Sequence, residues 1–291
     1  MKVLLTGATG YIGSAVTDAL RRAGHEVTGL ARSDEAVERL KERGIQSVRG
    51  DLTDTDILSK ASSEADAVIH TALPHSPEAP AVDRNAVEAI LNALEGTNKP
   101  FIYTSGIWVY GSTGDTVATE DTPLNPTPMV AWRPYDEKLA LEGAARGVRS
   151  VVIRPGIVYG GEGGIVGGMI QEAREKGIVR FVGTGDNRWP QVHVEDLAEL
   201  YVLAIERAPA GTLINGTSRG SVRVRDVAEA ASRAGGAGGR VEAWPLEEAR
   251  KKLGAYADAL ALDQQVSGKR AEELLGWKAK AASLPEFLER G

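Results

Sequence analysis

The sequence predicts an α/β protein, with a doubly wound parallel sheet in residues 1–160 and a smaller C-terminal α/β lobe after it. Three observations predict it. Short apolar runs alternate with amphipathic stretches, a glycine-rich turn follows the first apolar run, and the alternation changes after Gly160. Strands separated by helices of ten or more residues require parallel crossovers.

Each element has its own signal. "KVLLTG" is a strand closed by glycine, and "GSAVTDALRRAG" sets Ala15, Ala19 and Leu20 on one helical face with Arg21 and Arg22 off it. "HEVTGLAR" is the second strand, and "DEAVERLKERG" is a helix with a charged face and a glycine stop. "QSVRGDLTD" is the third strand, "DILSKAS" a short helix and "ADAVIHTA" the fourth strand. "AVDRNAVEAILNALEG" is a long helix, "PFIYTSG" the fifth strand, "DEKLALEGAARG" a helix and "RSVVIRPGIVYG" the sixth strand.

After Gly160, "GGEGGIVGGM" reads as a glycine-rich loop opening the helix "MIQEAREKG". A short strand, a loop and a helix follow up to Arg207, and residues 178–207 are expected to return to the core. The tail adds "TLINGTS", a helix from Val224 to Ala234, a strand near "RVEAWP" and a last helix near "AEELLG". Residues 161–291 are thus expected to form mainly a substrate lobe.

Composition narrows the chemistry. The 291 residues carry no cysteine, which excludes disulfides, thiolate metal sites and a cysteine nucleophile. The four histidines (His25, His70, His75 and His193) lack metal-ligand spacing, so no metal is expected. A net charge of −6 disfavours a broad nucleic-acid surface. No apolar run reaches the roughly 20 residues of a membrane span, and "MKVLLTGATG" lacks a signal peptide's apolar stretch. The expectation is a cytoplasmic protein with a small-molecule substrate, no nucleic acid and no membrane.

The turn "TGATGYIGSAV" has the clearest mechanism. Gly7 permits the tight turn, Gly10 lets backbone approach a pyrophosphate, and Gly13 lets helix and strand pack closely. Thr9, Tyr11 and Ile12 complete the candidate contacts. The second strand ends in "GLARSDE". Arg32 stands where an acid would meet a free ribose hydroxyl, and with Ser33 it suits a 2′-phosphate, which favours NADP over NAD. The competing reading lays Arg32 over the adenine or in solvent and lets Asp34 or Glu35 reach the ribose.

Together these residues resemble the extended, atypical branch of the short-chain dehydrogenase/reductase superfamily, related to NAD-dependent epimerases and dehydratases. "TGATGYIG", "GDLTD", "DAVIHTA", "FIYTSGIWVYG", "VVIRPGIVYG" and "PQVHVEDLAELYVLAI" carry the resemblance in the family's order over nearly the whole chain. It implies a Rossmann core with Asp51 and Leu52 at the adenine. Thr71 and Ala72 would lie along pyrophosphate and ribose, and Pro155 and Val158 at the nicotinamide. It also implies a serine or threonine orienting the substrate, a tyrosine moving a proton, a lysine four residues later on the ribose, and a homodimer.

The chain departs from that pattern twice. Gly106 holds the usual serine position, with Ser105 just upstream, and Pro134 stands four residues before Lys138. Tyr135, three before, shares a helical face with Lys138. A neighbouring ammonium would lower a phenol's pKa from about 10 and let Tyr135 act beside Ser105 and Lys138. The competing reading packs Tyr135 against the lobe and leaves Lys138 on the ribose.

His75, Trp108, Trp132, Tyr159 and Trp189 are candidate substrate contacts, each of a type that also serves as packing. His75 is an alternative proton donor. Arg133 and Arg180 suit an anionic substrate or the surface. The expected function is an NADP-dependent oxidoreductase reducing a small carbonyl or imine metabolite. The alternatives are a nucleotide-sugar epimerase or dehydratase and a non-catalytic NADP-sensing regulator.

Overall fold

A computed structural model describes residues 1–74, 76–218 and 220–290. The chain divides into two compact units. The first comprises Met1–Ser105, Trp132–Arg154 and Ala198–Ile214, and the second comprises Gly106–Ala131, Pro155–Leu197 and Asn215–Gly291.

The first unit is built on a seven-stranded sheet. Its strands are β1 (Lys2–Thr6), β2 (Glu26–Ala31), β3 (Gln46–Arg49), β4 (Ala67–His70), β5 (Pro100–Thr104), β6 (Arg149–Pro155) and β7 (Thr212–Gly216). The order is β3-β2-β1-β4-β5-β6-β7, so the chain reverses direction across the sheet between β1 and β4. β1 pairs in parallel with β2 and β4, β2 with β3, β4 with β5, and β5 with β6. This is the doubly wound arrangement, and ligands of such sheets bind at the carboxyl ends of the strands near that reversal.

The helices of this unit are α1 (Tyr11–Arg22), α2 (Asp34–Glu42), α3 (Thr55–Glu64), α4 (Ala79–Leu94), α5 (Arg133–Glu142) and α6 (Val194–Arg207). β4 is buried at all four positions, as the continuous apolar run "AVI" requires of a central strand. Leu58 of α3, Ile90 and Leu94 of α4, and Phe101 and Val152 of the sheet form one buried cluster. Each such side chain contributes about 1.5–3 kcal/mol on burial. That cluster holds the strand ends in fixed positions.

In the second unit, strand Arg188–His193 pairs antiparallel with Ser221–Arg223 and parallel with Ile157–Tyr159. Val179–Val182 pairs in parallel with Val241–Trp244. Helices Gly164–Lys176 and Val224–Ala234 cover a core containing Met169, Phe181, Trp189 and Val227.

Three local expectations change. The sixth predicted strand is two, Arg149–Pro155 and Ile157–Tyr159, broken at Gly156. A Cβ there would stand 2.9 Å from Pro190 O, so glycine admits a neighbouring backbone. Helix Gly164–Lys176 starts inside the expected loop, because a Cβ on Gly167 would meet Glu162 O at 2.1 Å and only glycine fits. Helices Leu246–Leu253, Ala255–Leu260 and Leu284–Arg290 were not expected, being short and partly capped by prolines and glycines that read as loop punctuation.

Candidate functional site

The turn after β1 brings Gly7 and Gly13 into the tight turn and the close helix–strand contact expected of them. Gly7 has φ of +75°, in the left-handed region. A Cβ on it would stand 2.8 Å from Thr71 Oγ1 and 2.9 Å from Ala72 N, so the ends of β1 and β4 close together there. A Cβ on Gly13 would lie 2.0 Å from Gly7 O, which forces glycine for helix and strand to pack. At Gly10 a Cβ would stand 3.1 Å from Gly7 O, a tight contact that a shift of a few tenths of an ångström would relieve, so glycine is less strictly required there than at Gly13.

Gly10 caps α1 without a side-chain hydrogen bond, and the first turn holds no acidic residue. The first N–H groups of α1 and its dipole thus meet no carboxylate from the helix's own first turn. Thr9, Tyr11 and Ile12 are half-buried around this turn. Thr71 Oγ1 donates to Thr6 O at 2.7 Å, and Ala72 N donates to Thr6 Oγ1 at 3.3 Å.

At the end of β2, Arg32 is exposed and has no hydrogen bond or ion pair to any described residue. The two acids that compete with it in sequence are engaged by other arginines. Asp34 lies 3.2 Å from Arg49 and Glu35 3.9 Å from Arg39. Ser33 caps α2 by accepting from Ala36 N at 3.2 Å. Asp51 accepts from Thr53 through both backbone and hydroxyl, which with the charge of Arg32 holds its carboxyl below the usual range. Leu52 is buried.

A run of buried polar groups crosses the carboxyl ends of β1, β4 and β5. Thr6 Oγ1 lies 2.7 Å from His70 Nδ1, and His70 Nε2 lies 3.0 Å from Asp83 Oδ1. Tyr103 donates its hydroxyl to Asp83 Oδ2 at 2.6 Å. Burial opposes ionisation of Asp83, but the hydrogen bond from His70 and the nearby charges hold its carboxyl below the usual range. Burial, and then Asp83, raise the Tyr103 phenol, so it stays a neutral donor. Arg133 Nη1 donates to Tyr103 at 3.4 Å and to Thr104 O at 2.9 Å.

Ser105 follows directly. Its backbone N–H donates to Ile153 O at 2.8 Å, while its buried hydroxyl has no hydrogen-bond partner among the described residues. An unsatisfied buried hydroxyl costs about 1–3 kcal/mol. It sits at the carboxyl edge of β5, where a ligand atom would satisfy it.

Helix α5 turns Arg133, Asp136, Glu137 and Ala140 inward and the opposite face out. Glu137 holds Arg154 in a buried bidentate pair, Arg154 Nε to Glu137 Oε1 at 2.9 Å. Asp136 is fully buried and accepts from Arg84 at 3.2 Å. Its carboxyl is pushed up to about 6, by burial first and then by Asp83.

Tyr135 and Lys138 share a face, as their spacing predicts, and that face is the outer one. Tyr135 is 55% exposed, with the Arg84 guanidinium 4.1 Å above its ring. Lys138 pairs instead with Glu142 at 3.7 Å, and its side chain is 74% exposed. Ser105 is therefore buried while Tyr135 and Lys138 look to solvent. His70, Asp83, Asp136 and Glu137, which the sequence reading left unassigned, are buried, and Arg133, read as suited to an anionic substrate or the surface, is half-buried; the signal available for the α5 members was the 133/136/137/140 spacing.

Trp132 stacks on the Arg133 guanidinium at 4.7 Å. In the second unit, Pro155 is buried at the end of β6 and Val158 pairs with Val192. Tyr159 donates to Ala282 O and packs against His193 and Phe287. Trp189 is buried and donates to Leu260 O at 3.2 Å. Trp108 packs edge-on against Tyr256. His75 lies outside the described residues.

The model of the NAD dependent epimerase/dehydratase family matches residues 3–215. The chain belongs to this family. An uncharacterized protein of Schizosaccharomyces pombe, C2A9.02, is 35% identical over 296 residues, which span 98% of this chain and 97% of that protein. A 4-hydroxy-2-methyl-3-oxo-4-farnesyl-3,4-dihydroquinoline-1-oxide ketoreductase of Stigmatella aurantiaca is 25% identical over 77% of this chain and 70% of its own. The crystal structure of a UDP-glucuronic acid 4-epimerase from Bacillus cereus, with UDP-glucuronic acid and NAD, shares the fold. Its TM-score is 0.84 at 20% identity, covering 99% of this chain and 97% of that one. This epimerase/dehydratase-family chain is thus an NAD(P)-dependent oxidoreductase-like protein. Among its described residues, no helix is long and apolar enough to cross a membrane.

The residues present fit a dinucleotide. The α1 terminus without a side-chain cap, the exposed Gly10 and the glycine-only positions at Gly7 and Gly13 suit a pyrophosphate held against backbone.

Proposed function

We propose that this protein is an NADP-dependent reductase of a small carbonyl or imine metabolite. The observation that carries the reading is the end of β2. Arg32 is exposed and uncommitted, while Asp34 and Glu35 are turned to Arg49 and Arg39. A guanidinium free to make charge-assisted bonds suits a 2′-phosphate, and the acids that would select a bare ribose lie in exposed pairs with Arg49 and Arg39 rather than beside Arg32.

In this reading the backbone of residues 7–13 holds the pyrophosphate, Asp51 and Leu52 border the adenine, and Thr71 and Ala72 lie along the ribose. NADPH, when bound, supplies the hydride. Ser105 donates its free hydroxyl to the substrate oxygen, steadying the negative charge that develops there. Tyr135, whose exposed ring lies against Arg84, is not assigned the proton transfer in this reading, and the proton that completes the alcohol after hydride transfer comes from water. The ketoreductase relative supports reduction as the reaction class.

A second reading, an NADP-sensing protein without turnover, draws on the outward placement of Tyr135 and Lys138. One experiment separates them. NADPH and NADH affinities are measured for the wild type and Arg32→Ala, and NADPH oxidation is followed over a panel of ketones, aldehydes and cyclic imines. The reductase reading expects NADPH to bind at least about 10-fold more tightly than NADH, a preference lost in Arg32→Ala, with turnover on some panel member. Equal affinities in the wild type would end the phosphate argument, and tight binding without turnover would favour the sensor.

A further inference from the structure

The half-buried Arg133 is anchored on one side only. Its Nη1 is committed to Thr104 O and Tyr103, and Trp132 covers a face of the guanidinium. Nε and Nη2 donate to no described residue, and no described carboxylate lies within ion-pair distance. Those two nitrogens form the side-on fork of a guanidinium, the geometry that meets the two oxygens of a carboxylate in parallel. The anchored nitrogen is bonded to the carbonyl of the peptide that joins Thr104 to Ser105, so the fork stands at the same strand end as the unpartnered Ser105 hydroxyl.

The anchor is itself braced. Arg133 donates to Tyr103, Tyr103 donates to Asp83, and Asp83 accepts from His70, which meets Thr6 just before the glycine turn. An ionised carboxylate only accepts, so His70 Nε2 carries hydrogen. Both Asp83 oxygens are thereby occupied without touching Arg133. The charge of the guanidinium is balanced at a distance while its fork stays open. A surface arginine has no use for such bracing, whereas an arginine that must hold an anion at a fixed distance from a second donor does.

We propose that Arg133 binds a carboxylate of the substrate, so that the carbonyl compound reduced is an oxo acid whose reacting oxygen falls to Ser105. The assignment rests on the reductase reading and narrows its substrate class. Tyr103 is a positioning residue that acts through Arg133.

The test uses the intact protein saturated with NADPH and oxalate as the probe, a planar dianion that resembles an oxo acid, with titration by calorimetry at constant ionic strength. Saturable oxalate binding is expected in the wild type. Binding should weaken by roughly 30-fold or more in Arg133→Met and by about 3- to 10-fold in Tyr103→Phe, with NADPH affinity in both variants within about threefold of wild type. Circular dichroism confirms that each variant is folded, and Tyr103→Phe provides a second arm if Arg133→Met is not. Equal oxalate affinity in wild type and Arg133→Met overturns the proposal. So does a wild-type NADPH complex that takes up no oxalate at about 10 mM. Failure to bind NADPH at all overturns instead the reading beneath it.

Discussion

His70 Nε2 lies 3.0 Å from Asp83 Oδ1, and both side chains are sealed from solvent. The pair links the end of β4 to α4, and Tyr103 and Thr6 extend it across β5 and β1. A buried network of this kind stabilises only while every member is satisfied. Asp83→Asn keeps the size but replaces one of the two accepting oxygens with an NH2 donor, which then faces the donor of either Tyr103 or His70. The expected result is a loss of about 2–3 kcal/mol in urea unfolding at neutral pH, against no more than about 0.5 kcal/mol for an exposed control such as Glu38→Gln.

Gly10 and Gly13 of the turn are expected to separate by role. Gly13→Ala drives a methyl into Gly7 O, so both melting temperature and NADPH binding should fall. Gly10→Ala meets only one atom, at 3.1 Å, so its melting temperature should stay within a few degrees of wild type while NADPH affinity drops roughly 10-fold or more. Paired thermal melts and fluorescence titrations check this. A Gly10→Ala protein that binds normally would move the pyrophosphate elsewhere.

Ser105 and Tyr135 are expected to divide cleanly in kinetics. Once a substrate is found, Ser105→Ala should lower kcat by roughly 10²-fold, as loss of one preorganised donor does. Tyr135→Phe should leave kcat within about twofold, because the ring is exposed and its charged neighbour is Arg84. The reverse pattern would return the tyrosine to the mechanism.

Asp136 makes a signed pH prediction. Its folded pKa, about 6, lies above its usual 3.8. Between those values the folded state binds more protons than the unfolded one, so this group's contribution to stability falls as pH rises from about 4 to 6. Asp136→Asn removes that dependence. Relative to wild type the variant should gain about 1–2 kcal/mol between pH 4 and pH 7.5, because water around Arg84 screens part of the effect. Parallel urea curves at the two pH values check it, and an unchanged difference would contradict the burial and repulsion assigned to this carboxyl.

Much of the first unit was legible because local and global signals agree there. The β1 turn is specified by glycines whose spacing has one steric solution, and the Val224–Ala234 helix was expected with its bounds. Helix α5 shows where sequence reasoning runs out. Periodicity puts Tyr135 and Lys138 on one face but does not say which face meets the sheet. The apolar content of α5 is too low to decide, and the buried positions are the charged Asp136 and Glu137, paired with Arg84 and Arg154 from elsewhere in the chain. Long-range ion pairs leave no periodic signature. The Thr6–His70–Asp83–Tyr103 run was illegible for the same reason, since its members come from four elements.

Calorimetric titration of the purified wild type with NADPH and with NADH tests the central claim most directly, because it asks whether the turn after β1 and Arg32 hold a phosphorylated dinucleotide. One saturable site per chain is predicted, with NADPH at least about 10-fold tighter than NADH at low salt and the preference shrinking as salt rises. Absence of saturable heat with either nucleotide would contradict it.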